Sequence, residues 1–322
     1  MLNSQHMAPS RQLVSEPETR SLRYSAYGLA ILSGIPLPEL RGGADSGPAQ
    51  VTICAGSVAP ELAGRTARGG LFEVGPERFL LHMEGVARYL VSGGNRITID
   101  AAPGADEDSI RLFLFGSVFG ALLHQRGLLL LHASAIETPR GAVLFAGDSA
   151  CGKSALAAAF HARGYRVIAD EICAIEVGAN GGVPARATIF PALPRLLLWR
   201  DVIEQTGLWG GNVRPARANL KRYHVPLEKG FASEPSPIRA VYMLLGTNKR
   251  EFNPTRVTGL DKFRELADLI FRKWFLSGMC PGNDHFHQLV LLARDVRISR
   301  FHRPPGWPLQ ETADLLEKDF SQ

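Results

Sequence analysis

GDSACGKS, residues 147 to 154, is the stretch on which the fold turns. It meets G-x-x-x-x-G-K-[ST] at Gly147, Gly152, Lys153 and Ser154, with an apolar run, AVLFAG (142–147), entering and a helical pattern leaving. Glycines permit backbone angles that aim successive N–H groups inward, forming an anion nest at a helix N-terminus whose dipole favours negative charge. The octapeptide therefore predicts a nucleotide-phosphate cradle made by Gly147, Asp148, Ser149, Ala150, Cys151, Gly152, Lys153 and Ser154. Lys153 would bridge the terminal phosphates of ATP and Ser154 would offer its hydroxyl to Mg²⁺. Cys151, at a helix N-terminus, could carry a lowered thiol pKa and tie the loop to redox state. The simpler expectation is that any small residue fits there.

Working outward, the helix is expected from about Lys153 to Arg163, with Gly164 as its stop, followed by the strand YRVIAD (165–170). A right-handed crossover sets that strand parallel to AVLFAG in one sheet, so its C-terminal end shares an edge with the phosphate loop. Asp170 and Glu171 are then expected to face the terminal phosphate, one accepting a hydroxyl proton and the other serving Mg²⁺. A plain acidic pair closing a strand is the competing reading. On the other side, His132 ends the run LLLLH before the hairpin that leads into the loop; spacing alone makes it a core histidine more readily than a ligand.

The 322 residues are 45% hydrophobic and 21% charged, enough for one large domain and a smaller one. A net charge of +5 suits phosphate-bearing or acidic partners and is too weak for a nucleic-acid-binding stripe. Cys54, Cys151, Cys173 and Cys280 lack C-x-x-C spacing, so neither a zinc ribbon nor a disulfide framework is suggested, and a reducing cytoplasm fits best. Residues 1–20 have no apolar stretch and are expected as a flexible tail, not a signal peptide. LFLFGSVFGALL (112–123) is shorter than the roughly 20 residues of a membrane span and is expected as a buried helix. No membrane association is expected; self-association stays open.

Residues 21–103 hold short β-rich runs, VTIC (51–54), RFLLHM (78–83), ARYLVS (87–92) and NRITID (95–100), which predict a small, mostly antiparallel β module. Pro103 and Gly104 end that pattern, and Asp106, Glu107 and Asp108 open a helix, so a second domain is placed at 104–322. Its succession of LLLLHASAI (128–136), AVLFAG, helix and YRVIAD is that of an α/β domain. IRAVYMLLG (238–246) and DVRISRF (295–301) are further strands, TGLDKFRELADLIFRKWFL and LQETADLLEKDF are helical, and the basic WGGNVRPARANLKRYHVPL (209–227) reads as a loop.

LLLLHASAI, the short turn and AVLFAGDSACGKSALAAAFHARGYRVIADE together resemble the catalytic core of the HPr kinase/phosphorylase family, serine kinases built on a phosphate loop. The resemblance implies an HPr-kinase-like α/β fold with His132 and Asp170 beside the transferred phosphate. It makes Asp170 the base towards a serine hydroxyl and Glu171 the second acid, with Mg²⁺ on Ser154 and Glu171. YSAYGLAILSGIPLPEL (24–40), RLFLFGSVFGALLHQRGLLLLHASAI (111–136) and FPALPRLLLWRD (190–201) are similar to the HPr-kinase-related proteins encoded with lasso-peptide biosynthesis genes, some of which phosphorylate a precursor peptide's C-terminal serine. The sequence departs from HPr kinase in having Glu171 where that family usually has Asp. It also lacks the downstream Gly-rich signature with its Mg²⁺-linked Glu, which argues against HPr as the partner.

Two further clusters are candidates. Arg217, Lys221, Arg222 and His224 could fold over triphosphate or grip an acidic peptide, and of these Lys221 and Arg222 are the substrate candidates. CPGNDHFH (280–287) brings Cys280, Asp284, His285 and His287 together without a companion pair at structural zinc spacing. The expectation is thus an ATP- and Mg²⁺-dependent serine kinase acting on a peptide or protein, with Lys153, Asp170 and His132 at the reaction. A small-metabolite kinase and a non-catalytic ATP-binding regulatory partner remain the alternatives.

Overall fold

The computed structural model describes residues 21–43, 47–180, 183–210, 212–217, 220–246, 253–276, 278–279, 285–303 and 306–322. The tail expected over 1–20, and Cys280 and Asp284 of the CPGNDHFH cluster, lie outside these residues. The chain is a mixed α/β structure with several sheets.

The first sheet has nine strands: β1 (Leu22–Ala26), β2 (Leu29–Ser33), β3 (Arg41–Gly42), β4 (Val51–Ala55), β5 (Ala67–Arg68), β6 (Phe72–Gly75), β7 (Arg78–Met83), β8 (Ala87–Ser92) and β9 (Arg96–Ala101). Their order is β3-β1-β2-β4-β9-β8-β7-β6-β5. Neighbours are antiparallel except for β2 with β4 and β4 with β9, which run parallel. Alternation forms these strands: in ARYLVS, Ala87, Tyr89 and Val91 are buried while Arg88, Leu90 and Ser92 are less so.

A helical segment joins this sheet to the next. α1 (Glu107–Phe113) starts at Asp106, whose carboxylate accepts from the N–H groups of Asp108 and Ser109. A π-helical turn over Leu114–Val118 leads into α2 (Phe119–Gln125). The apolar run expected as a helix is thus helical and buried, with one wider turn inside it.

The second sheet is built from β10 (Leu129–Leu131), β11 (Ala133–Thr138), β12 (Gly141–Ala146), β13 (Arg166–Ala169), β14 (Cys173–Asn180), β15 (Val183–Ile189) and β19 (Ser236–Gly246) in the order β10-β14-β15-β19-β12-β11-β13. α3 (Lys153–Ala162) carries the chain from β12 to β13. β13 pairs antiparallel with β11, and β11 antiparallel with β12, so β13 runs parallel to β12 one strand away. LLLLHASAI forms two strands: β10 pairs with β14, β11 pairs with β12, and His132 sits at the handover. The segment 209–227, read as a loop, contains β17 (Arg214–Pro215) and β18 (Arg222–Pro226), which pair with each other and with β16 (Arg195–Trp199) in a small third sheet. Its prolines and cations hide the strand, because only His224 and Val225 of β18 are buried.

β12 is buried along all six residues, as a strand covered on both faces must be. Its alternate residues feed two cores: Ala142, Leu144 and Ala146 join one, Val143 and Phe145 the other. The second core packs α3 and α7 (Leu309–Ser321) on the sheet, with Phe145 and Phe160 stacked at 5.3 Å. The first core is continuous from Ala26 of the first sheet to Ile298 of β21 (Arg297–Arg303), which extends the second sheet by running parallel to β19 and pairs antiparallel with β20 (Thr255–Arg256). The helix expected in TGLDKFRELADLIFRKWFL stops early, with α5 at Leu260–Asp268. Phe271 and Phe275 turn inward there, and Phe275 packs on Phe79 at 4.5 Å. α4 (Arg200–Thr206) and α6 (His285–Asp295) complete the helices named among the described residues, none of which is long and apolar enough to cross a membrane.

Candidate active site

The loop from Gly147 to Gly152 joins β12 to α3 and takes positive φ at Gly147, Ala150 and Gly152. At Gly147 (φ +142°) a Cβ would stand 2.7 Å from Leu244 O, and at Gly152 (φ +100°) it would stand 2.6 Å from an Arg303 guanidinium nitrogen. Lys153 is buried, and its ammonium donates to the carbonyls of Gly147 (2.9 Å) and Asp148 (2.6 Å), with Cys151 Sγ at 3.9 Å. Burial raises the Cys151 thiol above its ordinary pKa despite the lysine beside it, so the loop does not create a thiolate.

Ser154, in the first turn of α3, donates to Asp170 Oδ1 at 2.7 Å. Ser134 of β11 donates to the same oxygen at 2.6 Å, and the Leu197 N–H of β16 donates to Oδ2 at 2.9 Å. Three donors from three elements therefore fix Asp170 at the end of β13. Glu171 takes a left-handed backbone (φ +74°), a conformation that costs a non-glycine residue about 1–2 kcal/mol. The two acids consequently part: Glu171 lines a cavity of about 670 Å³ in front of the loop, while Asp170 stands behind Ser154.

Lys153, Ser154, His132 and Arg222 line that same cavity. The His132 ring meets Phe271 edge-on at 5.8 Å. Burial lowers its pKa to about 4, with the positive charge of Lys153 adding to the effect and Asp170 opposing it, so the imidazole is neutral at pH 7. Arg222 lies over the Trp199 ring, 5.8 Å from its centre, and donates to Leu197 O at 3.3 Å. Lys221 is exposed and absent from the cavity wall, so the structure separates the two substrate candidates. His224 is buried in a different recess, and His285 and His287 lie on α6.

Sequence reading missed Arg272, Arg303 and the tryptophans Trp199 and Trp274 at the cavity, and Ser134 beside Asp170 behind it. Arg303 was within reach, since DVRISRF extended by two residues ends at the same sheet edge as the loop. Arg272 had no signal, because it lies where a helix was expected and instead adopts φ +48°. Both arginines have a buried Nε with no partner, and burial lowers both pKa values. Glu171 is the carboxylate whose charge bears on Arg272.

Among the described residues no three His, Cys, Asp or Glu side chains converge into a metal cage. The oxygens of Ser154, Asp170 and Glu171 are nevertheless of the hard type that Mg²⁺ takes, and such an ion would draw further ligands from phosphate.

No protein-family model matches the chain, and no curated protein is similar to it. Among solved structures, the Hpr(Ser) kinase/phosphatase from Coxiella burnetii is similar at 16% identity and a TM-score of 0.30, over 59% of this chain and 95% of that one.

Proposed function

We propose that the protein is an ATP-dependent kinase that moves the terminal phosphate onto a hydroxyl, with a serine of a peptide as acceptor. One juxtaposition carries this reading: the phosphate-loop hydroxyl of Ser154 is bonded to a strand-end carboxylate, Asp170, beside a cavity that Lys153 and Glu171 line. The loop amides and Lys153 would hold the triphosphate, with Arg272 and Arg303 adding positive charge at the cavity wall. Ser154, positioned by Asp170, would hold Mg²⁺, which when bound neutralises charge on the phosphates. Trp199 and Trp274, about half exposed at the cavity, offer flat faces for the base or an acceptor side chain.

The two acids take different roles. Asp170, which the family resemblance makes the base, already accepts three hydrogen bonds and is assigned here to hold Ser154 in place. Glu171 faces the cavity and is assigned the proton of the acceptor hydroxyl as its oxygen attacks the terminal phosphorus and ADP leaves. His132, neutral, would orient by hydrogen bonding.

The test supplies radiolabelled ATP with serine peptides and with a metabolite extract. Glu171→Gln is expected to bind ATP like the parent and to lose transfer by about 10²–10⁴-fold, whereas Asp170→Asn should weaken Mg·ATP binding as well. Full transfer by Glu171→Gln would return the base to Asp170. Label found on a free metabolite and never on peptide would select a small-molecule kinase; bound ATP with no ADP formed from any acceptor would make the protein a nucleotide-sensing partner.

A further inference from the structure

A second recess, of about 730 Å³, lies between the first sheet and the small third sheet. Three polar side chains in its wall are more than nine-tenths buried, and each has an atom without a partner: Arg195 Nε, Glu39 Oε2 and His224 Nδ1. Glu39 is half-satisfied, since its other oxygen accepts from Arg111 at 3.1 Å and from Arg214. Arg195 is the unusual one. It is 7% exposed, and its guanidinium makes no hydrogen bond or ion pair with any described residue.

A buried cation is ordinarily paired, because withdrawing its charge from water is costly unless an anion compensates. The charge of the wall defines the missing partner. Arg41, Arg195 and Arg214 face Glu39 and Glu228, and Arg111 and Asp108 behind them close on Glu39 and Arg214 as one further pair, a balance of one positive charge with the imidazole neutral and the solvent-exposed Glu107 left aside. That surplus matches one monoanion and leaves a phosphate dianion over-neutralised. A carboxylate also complements the planar fork of an arginine. Pro38, Pro226 and Leu227 give the recess an apolar border on which neighbouring residues of a segment can lie.

We propose that this recess docks a peptide segment through one carboxylate side chain, with Arg195 as the anchor. The proposal stands apart from the phosphoryl-transfer reading, although the two sites share β16: Arg195 begins the strand, and Leu197, two residues on, holds Asp170 through its N–H.

The full chain is tested with a pool of capped tetrapeptides randomised except for one fixed Glu, a matched pool with Gln, and sodium phosphate. The Glu pool is expected to raise the melting temperature and to bind at least about tenfold more tightly than the Gln pool, a gap of about 1.4 kcal/mol. Arg195→Met should melt at or above the parent temperature without ligand, because it removes an unpaired buried charge, and should lose the response to the Glu pool. Arg195→Lys should keep part of it. In ring spectra of the histidines, His224 should move on adding the Glu pool while His132 stays. The idea is overturned if Arg195→Met melts lower or fails to fold, which would make Arg195 structural. It is equally overturned if the two pools bind alike or not at all, if phosphate alone stabilises, or if only His132 responds.

Discussion

The buried imidazoles give the protein a pH response that can be argued residue by residue. His132 and His124 both have pKa values lowered by burial to about 4, and His224 is lowered to about 2. The unfolded chain takes up these protons near pH 6.5, so between about 6.5 and 4 it binds more protons than the folded one and stability rises with pH. Unfolding midpoints in urea should therefore be level above pH 7. They should fall as pH drops from about 6.5, by up to about 1.4 kcal/mol per pH unit for each histidine. The interval from about 5 to 6.5 is diagnostic because ordinary carboxylates stay ionised there. A midpoint that does not move in that interval would contradict the burial of these rings, and His124→Gln should flatten the slope. At this scale the sequence was most legible around Gly147–Ser154, where an apolar strand, a glycine-bearing turn and a helix follow one another at the spacing the residues set. It was silent on Arg195, Arg272 and Glu39, whose importance comes from what surrounds them and not from their neighbours in the chain.

Among the elements, the helical segment from Glu107 to Gln125 steers the cavity from behind. Gly120 in α2 lies against Phe271, and a Cβ there would stand 2.7 Å from the Phe271 ring, which meets His132 edge-on. Gly120→Ala is expected to destabilise by about 1–3 kcal/mol through overpacking. It should also shift the His132 ring resonances, whereas an alanine at the roomier Gly116 should leave them in place. Equal His132 shifts in both variants would break the proposed chain of contacts. The run 112–123 was readable as a buried helix because apolar residues dominate it, but nothing in its composition marks the π-helical turn. β18 was unreadable for the opposite reason: two buried residues among cations and a proline make no alternation. The break of LLLLHASAI at His132 was hidden as well, since both halves are apolar and only the change of pairing partner separates them.

For the molecule as a whole, the first core runs without interruption from Ala26 through Phe79, Phe119 and Leu144 to Ile298. Composition changed visibly near Pro103 and Gly104, so the shift from a β-rich to an α/β pattern could be read; that both halves bury one apolar mass could not. Expressing residues 104–322 alone should give aggregated protein or a melting temperature far below that of the full chain, since one wall of that core is removed. A fragment as stable as the full chain would show the halves to be separable. The same continuity limits how such a protein changes over generations. A first sheet borrowed from elsewhere would meet the wrong facets in the interior, so new ligands are more accessible through point changes at the rim of the recess and the cavity than through exchange of whole modules.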